Sequence, residues 1–406
     1  MMRITVVGLV LALGAMSSSF AQKGVPSPSF VEESPNTVYA RPDQIRVHRI
    51  DLRGDFQPAD IANPYVYVQS MFLRWADDGT AGLSYFSFSG GRTIGDDVVV
   101  LGGLPDPGTG GYDTITPQAC ITELTFYLLS VDAGGGNLAL NINFHPWNGL
   151  FSTAAGASIR IHSVSLTIPA VNGFGIFEVT VPISPALPVP KAFWIAFTPN
   201  ATGTTINLAN IGLLIGNSTP GNTSLLPGRG YFRATSPTTP VFTSVTGGSV
   251  FTGLPQGSFA LSLRGSHNFV GQVELSALAN RAKPGRPLYF EFDADNDGIE
   301  EALRRNLVDV EVTNDSGTPF TSRFTTYLDE NGRFTIPVSS AVSQIKVRRW
   351  DNGLVAAYAR PSTGWSADPC GPTVASATMT FGDVTGDGTI DDNDLLAVLF
   401  GFGSSE

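Results

Sequence analysis

Two cysteines, Cys120 and Cys370, are all that the chain has. They are too few for a disulfide scaffold or a thiolate zinc site. An exported chain permits a bridge between them, but they stand far apart, in segments that read as different modules, which favours two separate thiols. The four histidines are His48, His145, His162 and His267, none with a second histidine at ligand spacing. Each therefore reads as a surface or interface residue. Charge is scarce, at 15% of residues, and cations are the scarcer sign: 24 Lys and Arg against 35 Asp and Glu, a net of -11. That balance argues against holding nucleic acid or an anionic membrane through charge, and it suits calcium. No nucleophile elbow, zinc-helix motif, phosphate loop or dinucleotide fingerprint occurs. A carboxylate pair for glycoside hydrolysis is a spatial arrangement that sequence does not display. The acidic residues here cluster in loops rather than at isolated strand ends, which points away from an enzyme.

Helical periodicity is also missing until the last few residues. Beyond the N-terminus, no stretch approaches the ~20 apolar residues that a membrane helix needs. The N-terminus itself has a basic start at Arg3, an apolar run from Ile4 to Ala15, and small residues to Ala21. This pattern predicts a secretory signal over 1–21, cut after Ala21, and hence a secreted or cell-surface protein.

What is abundant is Gly (45), Pro (28) and Phe (26), the composition of many short strands joined by turns. Residues 22–45 read as a linker or arm, and 46–266 as a jelly-roll-like β-sandwich. Within it, Leu138, Leu140, Ile142 and Phe144 alternate with Ala139, Asn141 and Asn143, which predicts a strand with one wet face. Phe177, Val179 and Val181 alternate in the same way, as do Phe193, Ile195 and Phe197 around Trp194. Ile159 and Ile161 fall on the opposite parity from Val164, Leu166 and Ile168, so a β-bulge is expected near Ser163.

Residues 267–360 have the rhythm of a small immunoglobulin-like sandwich. The segment Asp329-Glu330-Asn331-Gly332-Arg333-Phe334 stands between two alternating runs and predicts a hairpin. A second hairpin is expected around Asp351-Asn352-Gly353. On that strand–turn–strand pattern the module resembles the carboxypeptidase-regulatory-like and collagen-adhesin B-type folds, which serve as spacers in secreted bacterial proteins. Residues 361–380 read as a linker.

The segment 381–406 opens with Gly382-Asp383-Val384-Thr385-Gly386-Asp387-Gly388-Thr389-Ile390-Asp391-Asp392-Asn393-Asp394. An EF-hand-type calcium loop takes oxygen ligands at positions 1, 3, 5, 7, 9 and 12, with glycine at 6. Counting from Asp383, those ligands are Asp383, Thr385, Asp387, the Thr389 carbonyl, Asp391 and Asp394, with Gly388 at the turn. Ile390 fills the apolar slot that pins such a loop to a core. A short helix should follow from Asp394 to Phe402. Loop and helix together resemble one half of a type I dockerin repeat, and the resemblance implies bound Ca2+. A dockerin pairs two such halves and binds a cohesin. With a single half present, the partner is a cohesin-like or envelope protein, or else the tail packs on the preceding sandwich.

A second acidic run, Asp293, Asp295, Asp297 and Gly298, matches loop positions 1, 3, 5 and 6, with Ile299 and Glu301 as further ligands. Position 12 falls on Arg304, which cannot ligate, so a solvated turn is the competing reading. For a polysaccharide, the aromatic candidates are Trp147, in a loop beside polar groups, and Trp194, on the polar parity of its strand; each could instead cap a core. The sequence therefore points to a secreted, non-catalytic, calcium-binding modular protein. The alternative is a polysaccharide-active enzyme or a carbohydrate-binding accessory subunit.

Overall fold

A computed structural model describes residues 36–53, 63–69, 78–100, 117–146, 160–217, 231–232, 248–249, 257–273, 307–314, 320–329, 331–338, 342–349, 356–359, 370–371, 374–379, 382, 385 and 389–401. Among them the chain is all-β, with one α-helix at Asp392–Gly401.

Pro117–Ser130 is the spine of a nine-stranded sheet. It pairs antiparallel along its length with Gly175–Pro190; on its other side it meets Leu261–Ser266 and then Ile211–Asn217. Tyr65–Gln69 lies beyond Leu261–Ser266, while Ala81–Ser87 and then Asn36–Ala40 lie beyond Ile211–Asn217. Val47–Asp51 runs parallel to Gly175–Pro190 at the far side. The arm expected over 22–45 is thus partly sheet: its Thr-Val-Tyr run favours a strand, and residues 41–46 then lead from one side of the sheet to the other.

A four-stranded sheet faces this one, in the order Ile94–Val99, Ala192–Pro199, Gly136–Pro146, Arg160–Ile168. Its inward parity carries the residues that alternate in the sequence: Leu138, Leu140, Ile142, Phe144, Phe193, Ile195 and Phe197, all buried against Phe126, Phe177 and Val179 of the larger sheet. The Phe126 and Phe197 rings meet at 4.9 Å between centroids. The bulge expected near Ser163 is absent. Register runs unbroken from Gly136↔Ile168 to Phe144↔Arg160, so His162 takes the inward parity. His162 is half-buried and sets its ring edge-on to Phe144 at 6.0 Å, which lets an imidazole occupy an apolar position at the end of the sandwich.

The chain crosses from the spine to the facing sheet through a turn organised by Asp132. Its Oδ1 accepts from the Gly134 and Gly135 N–H groups (2.8 and 3.1 Å), and Oδ2 accepts from the Asn207 N–H at 3.2 Å. Gly135 has φ +65°, and a Cβ there would strike the backbone at Ile168–Ala170. The bond from Gly134, with those from Asn207 and Gly135, holds the Asp132 carboxyl below its ordinary 3.8. A depressed carboxyl stabilises the fold above its unfolded value and loses that contribution as pH falls through the folded one. Asp132→Ala is therefore expected to cost about 1.5–3 kcal/mol at neutral pH. The gap between variant and wild type should close on acidification below the ordinary carboxylate range, as read by thermal unfolding at stepped pH.

The second sandwich opposes the sheet Arg333–Ile336, Phe269–Val273, Val374–Met379 to the sheet Phe320–Tyr327, Leu307–Asn314, Val342–Arg349, Ala356–Ala359. Its core includes Phe269, Val310, Phe334, Ile336, Ile345 and Val347. Val342–Arg349 and Ala356–Ala359 pair antiparallel, as the second hairpin requires. The turn at Asp329–Gly332 makes no hairpin. Its flanking strands pair with different partners in different sheets, Phe320–Tyr327 with Leu307–Asn314 and Arg333–Ile336 with Phe269–Val273. Asp329 Oδ1 accepts from the Asn331 and Arg333 N–H groups at 2.8 Å each, tightening the turn into a corner between layers.

Two further expectations change. Cys120 and Cys370 form a disulfide across 250 residues. The segment 361–380, read as a linker, contains the strand Val374–Met379, parallel to Phe269–Val273. Register explains both. Cys120 lies opposite Ser266, Phe269 follows almost at once, and Phe269 lies opposite Val374, so residue 370 is carried back to residue 120.

Candidate functional site

At the C-terminus the loop and helix are joined through two aspartates. Asp391 precedes the helix, and its Oδ1 accepts the Asn393 N–H at 2.8 Å, the N-cap arrangement. Asp394 Oδ2 accepts the Asp391 N–H at 2.8 Å, completing a reciprocal capping box. Asp394 Oδ1 reaches back across the loop to the Thr385 N–H at 2.9 Å and hydroxyl at 3.1 Å. Asp394 is 3% exposed, unusual for a carboxylate in so short a segment. The Thr385 hydroxyl donates its proton to Asp394, which leaves its own oxygen lone pairs to accept.

Of the expected ligands, Thr385, Thr389, Asp391 and Asp394 fall in described positions, and the structure brings Thr385, Asp391 and Asp394 together. Asp383 and Asp387 lie outside the described residues. Among those that are described, no cluster of three or more His, Cys, Asp and Glu side chains could hold a metal ion. By chemistry alone, the hydroxyl oxygen of Thr385 and the carboxylate oxygens of Asp391 and Asp394 would suit a hard cation, with no soft ligand among them.

Two tail expectations are corrected. Ile390 is 59% exposed, so it pins the loop to no core. It lies instead over Gly382 (φ +107°), where a Cβ would stand 3.3 Å from the Ile390 side chain. The helix leaves Leu395, Leu396, Val398, Leu399 and Phe400 exposed, so it does not bury its apolar surface on a sandwich.

The second acidic run, Asp293, Asp295, Asp297, Ile299 and Glu301, lies outside the described residues, as does Trp147. Trp194 is described and corrects its reading: it is 3% exposed. It sits in the middle of the sheet between Asp97 and His145, on a strand buried at every position, Ala192–Pro199. A ring so enclosed has no free face to stack on a sugar.

One polar cluster escaped the sequence reading. On the outer face of the large sheet, Glu123 is flanked by Arg53, at 2.5 Å from Oε2, and Arg264, at 3.6 Å from Oε1. Arg264 also donates to the Tyr65 hydroxyl at 2.7 Å and lies over the Tyr65 ring. Nearby, Glu178 accepts from the Tyr127 hydroxyl at 2.9 Å and faces Arg49 at 3.5 Å. Burial pushes the Glu123 carboxyl up, and the Arg264, Arg53 and Arg49 guanidiniums pull it back only in part. The arrangement neutralises buried charge and cross-links strands.

Compared with known proteins, the chain matches no family model, no curated protein and no solved structure.

Proposed function

We propose that this protein is exported and acts outside the cytoplasm as a non-catalytic, modular, calcium-binding protein. Two β-sandwiches form its body, and the C-terminal loop and helix are its calcium-ordered docking element. The observation that carries this reading is the Asp394 carboxylate, which gathers Thr385 and Asp391 around a loop of ligand spacing. Ca2+ would be held by Asp383, Thr385, Asp387, the Thr389 carbonyl, Asp391 and Asp394. It would supply the positive charge that so many neighbouring carboxylates require. Export is supported by the N-terminal pattern at 1–21 and by a disulfide, which persists in oxidising compartments. No described helix is long and apolar enough to cross a membrane. The apolar helix surface supports a protein partner for the tail, cohesin-like or of the envelope. A polysaccharide ligand is the second reading, and with Trp194 enclosed its aromatic support is Trp147.

The test is calcium calorimetry on the full chain beside an Asp383→Ala, Asp387→Ala double variant. Binding is expected with a Kd of about 10⁻⁴–10⁻³ M or tighter, the range of extracellular modules, and the double variant should lose it. Failure of the wild type to bind at millimolar calcium would overturn the reading.

A further inference from the structure

The two sandwiches are separated by very little chain. Leu261–Ser266 ends the first and Phe269–Val273 opens the second. Of the two residues between, His267 is fully buried. Its ring Nδ1 lies 2.8 Å from the Gln118 carbonyl of the spine strand, and its N–H donates to Thr335 Oγ1 at 2.7 Å in the second sandwich. Thr335 in turn donates to the Phe269 carbonyl at 3.0 Å. The Asn268 side chain closes a two-way bridge to the Val338 backbone, at 2.7 and 2.9 Å. The short connection is thus bonded into both bodies.

A second contact lies on the outer face of the first sandwich. The outer face of the large sheet carries an apolar cluster that includes Tyr65, Val68, Tyr85, Tyr127 and Ala260, and the buried Tyr327 of the second sandwich belongs to the same cluster. The third tie is the disulfide, from Cys120 on the spine to Cys370 just before the strand Val374–Met379. Gly265 stands so close to the Cys120 carbonyl that any Cβ would overlap it, which keeps the connection tight beside the bridge.

We propose that the two sandwiches form one rigid body latched by the Cys120–Cys370 disulfide, and that reducing this bond releases the second sandwich and uncovers the tyrosine-lined outer face of the first. The inference is independent of the calcium reading. A dithiol such as dithiothreitol supplies the two electrons and two protons. The Cys120–Cys370 bond breaks to two thiols while the reagent closes to its cyclic disulfide, so the exchange balances. With the bond gone, non-covalent ties remain, among them Tyr327 and the His267 bridge, and interfaces between modules of one chain commonly permit relative motion. The rigid state therefore belongs to an oxidising compartment.

The test uses the full chain in three forms: oxidised, reduced with dithiothreitol under native conditions, and the Cys120→Ser, Cys370→Ser variant. Small-angle scattering reads the separation of the bodies, and nitration mapped by mass spectrometry reads the exposure of Tyr65, Tyr127 and Tyr327. The expected result is a larger radius of gyration and several-fold faster nitration of these tyrosines in the reduced form, with far-UV circular dichroism unchanged. If the serine variant does not fold, the reduced wild type carries the test alone. Unchanged scattering and nitration, with both thiols shown to be free, would sink the proposal. Loss of the β signal on reduction would sink it as well, because the bond would then hold a sandwich together rather than latch two.

Discussion

Phe126→Ala is expected to destabilise the first sandwich by about 3–5 kcal/mol, the usual cost of emptying an aromatic site in a close-packed core. Phe126 is fully buried on the spine strand. It stands between Val179 and Leu261 of the neighbouring strands and meets Phe197 of the facing sheet at 4.9 Å. Its position at the middle of both layers leaves the walls little freedom to collapse, because each is fixed by strand pairing on two sides. Chemical denaturation followed by tyrosine and tryptophan emission would read the loss as a lower midpoint with an unchanged slope. A loss within about 0.5 kcal/mol, typical of a surface site, would mean that the two sheets do not pack through this residue.

Glu123→Ala should cost a similar amount for a different reason. Arg53 and Arg264 have side-chain exposures of 6% and 11%, and Glu123 is their shared counter-charge. Removing one partner of a buried ion pair strands the other, at up to about 3–5 kcal/mol, and Asp51 beside Arg53 at 3.5 Å and the Tyr65 hydroxyl beside Arg264 at 2.7 Å offset part of that loss. The effect should shrink in an Arg53→Met background, and a double-mutant cycle would measure that coupling; additive losses would show that the pair is not coupled. Protonation gives a second handle. Burial raises the Glu123 carboxyl above its ordinary 4.5, so the folded protein holds this proton more tightly than the unfolded chain does. The stability from that difference is complete below the unfolded value and is lost as pH rises through the folded one. Glu123→Gln, which cannot titrate, should flatten the stability profile across that window.

Features that depend on neighbours in the chain were legible in the sequence. The alternation of Leu138, Leu140, Ile142 and Phe144 specifies one buried face, because side chains on a strand repeat every second residue. The spacing of Asp383, Thr385, Asp387, Asp391 and Asp394, on which the calcium proposal rests, is likewise a local pattern. Features that depend on what lies across a sheet were not. Trp194 has the outward parity expected of it, yet it is enclosed, since parity gives direction and not cover. The Asp329–Gly332 turn has hairpin residues, but its flanking strands pair with different partners, a choice made by the whole sandwich. Glu123, Arg53 and Arg264 come from three separate strands or their ends, and only the pairing Arg264↔Glu123 brings two of them opposite. The cysteines appeared distant because linear separation says nothing of a strand that returns parallel to an earlier one.

That long bridge also has a meaning in time. A chain is made from its N-terminus, at about 5–20 residues per second. The spine strand and Cys120 therefore exist for roughly 12–50 seconds before residue 370 is joined. Val47–Asp51 likewise waits for the strand around Phe177, and Asn36–Ala40 waits for Ala81–Ser87. Throughout that interval the growing polypeptide carries an unpaired thiol and sheet edges awaiting later partners. Its yield should depend less on the stability of the finished body than on how well those early strands are shielded while the rest is synthesised.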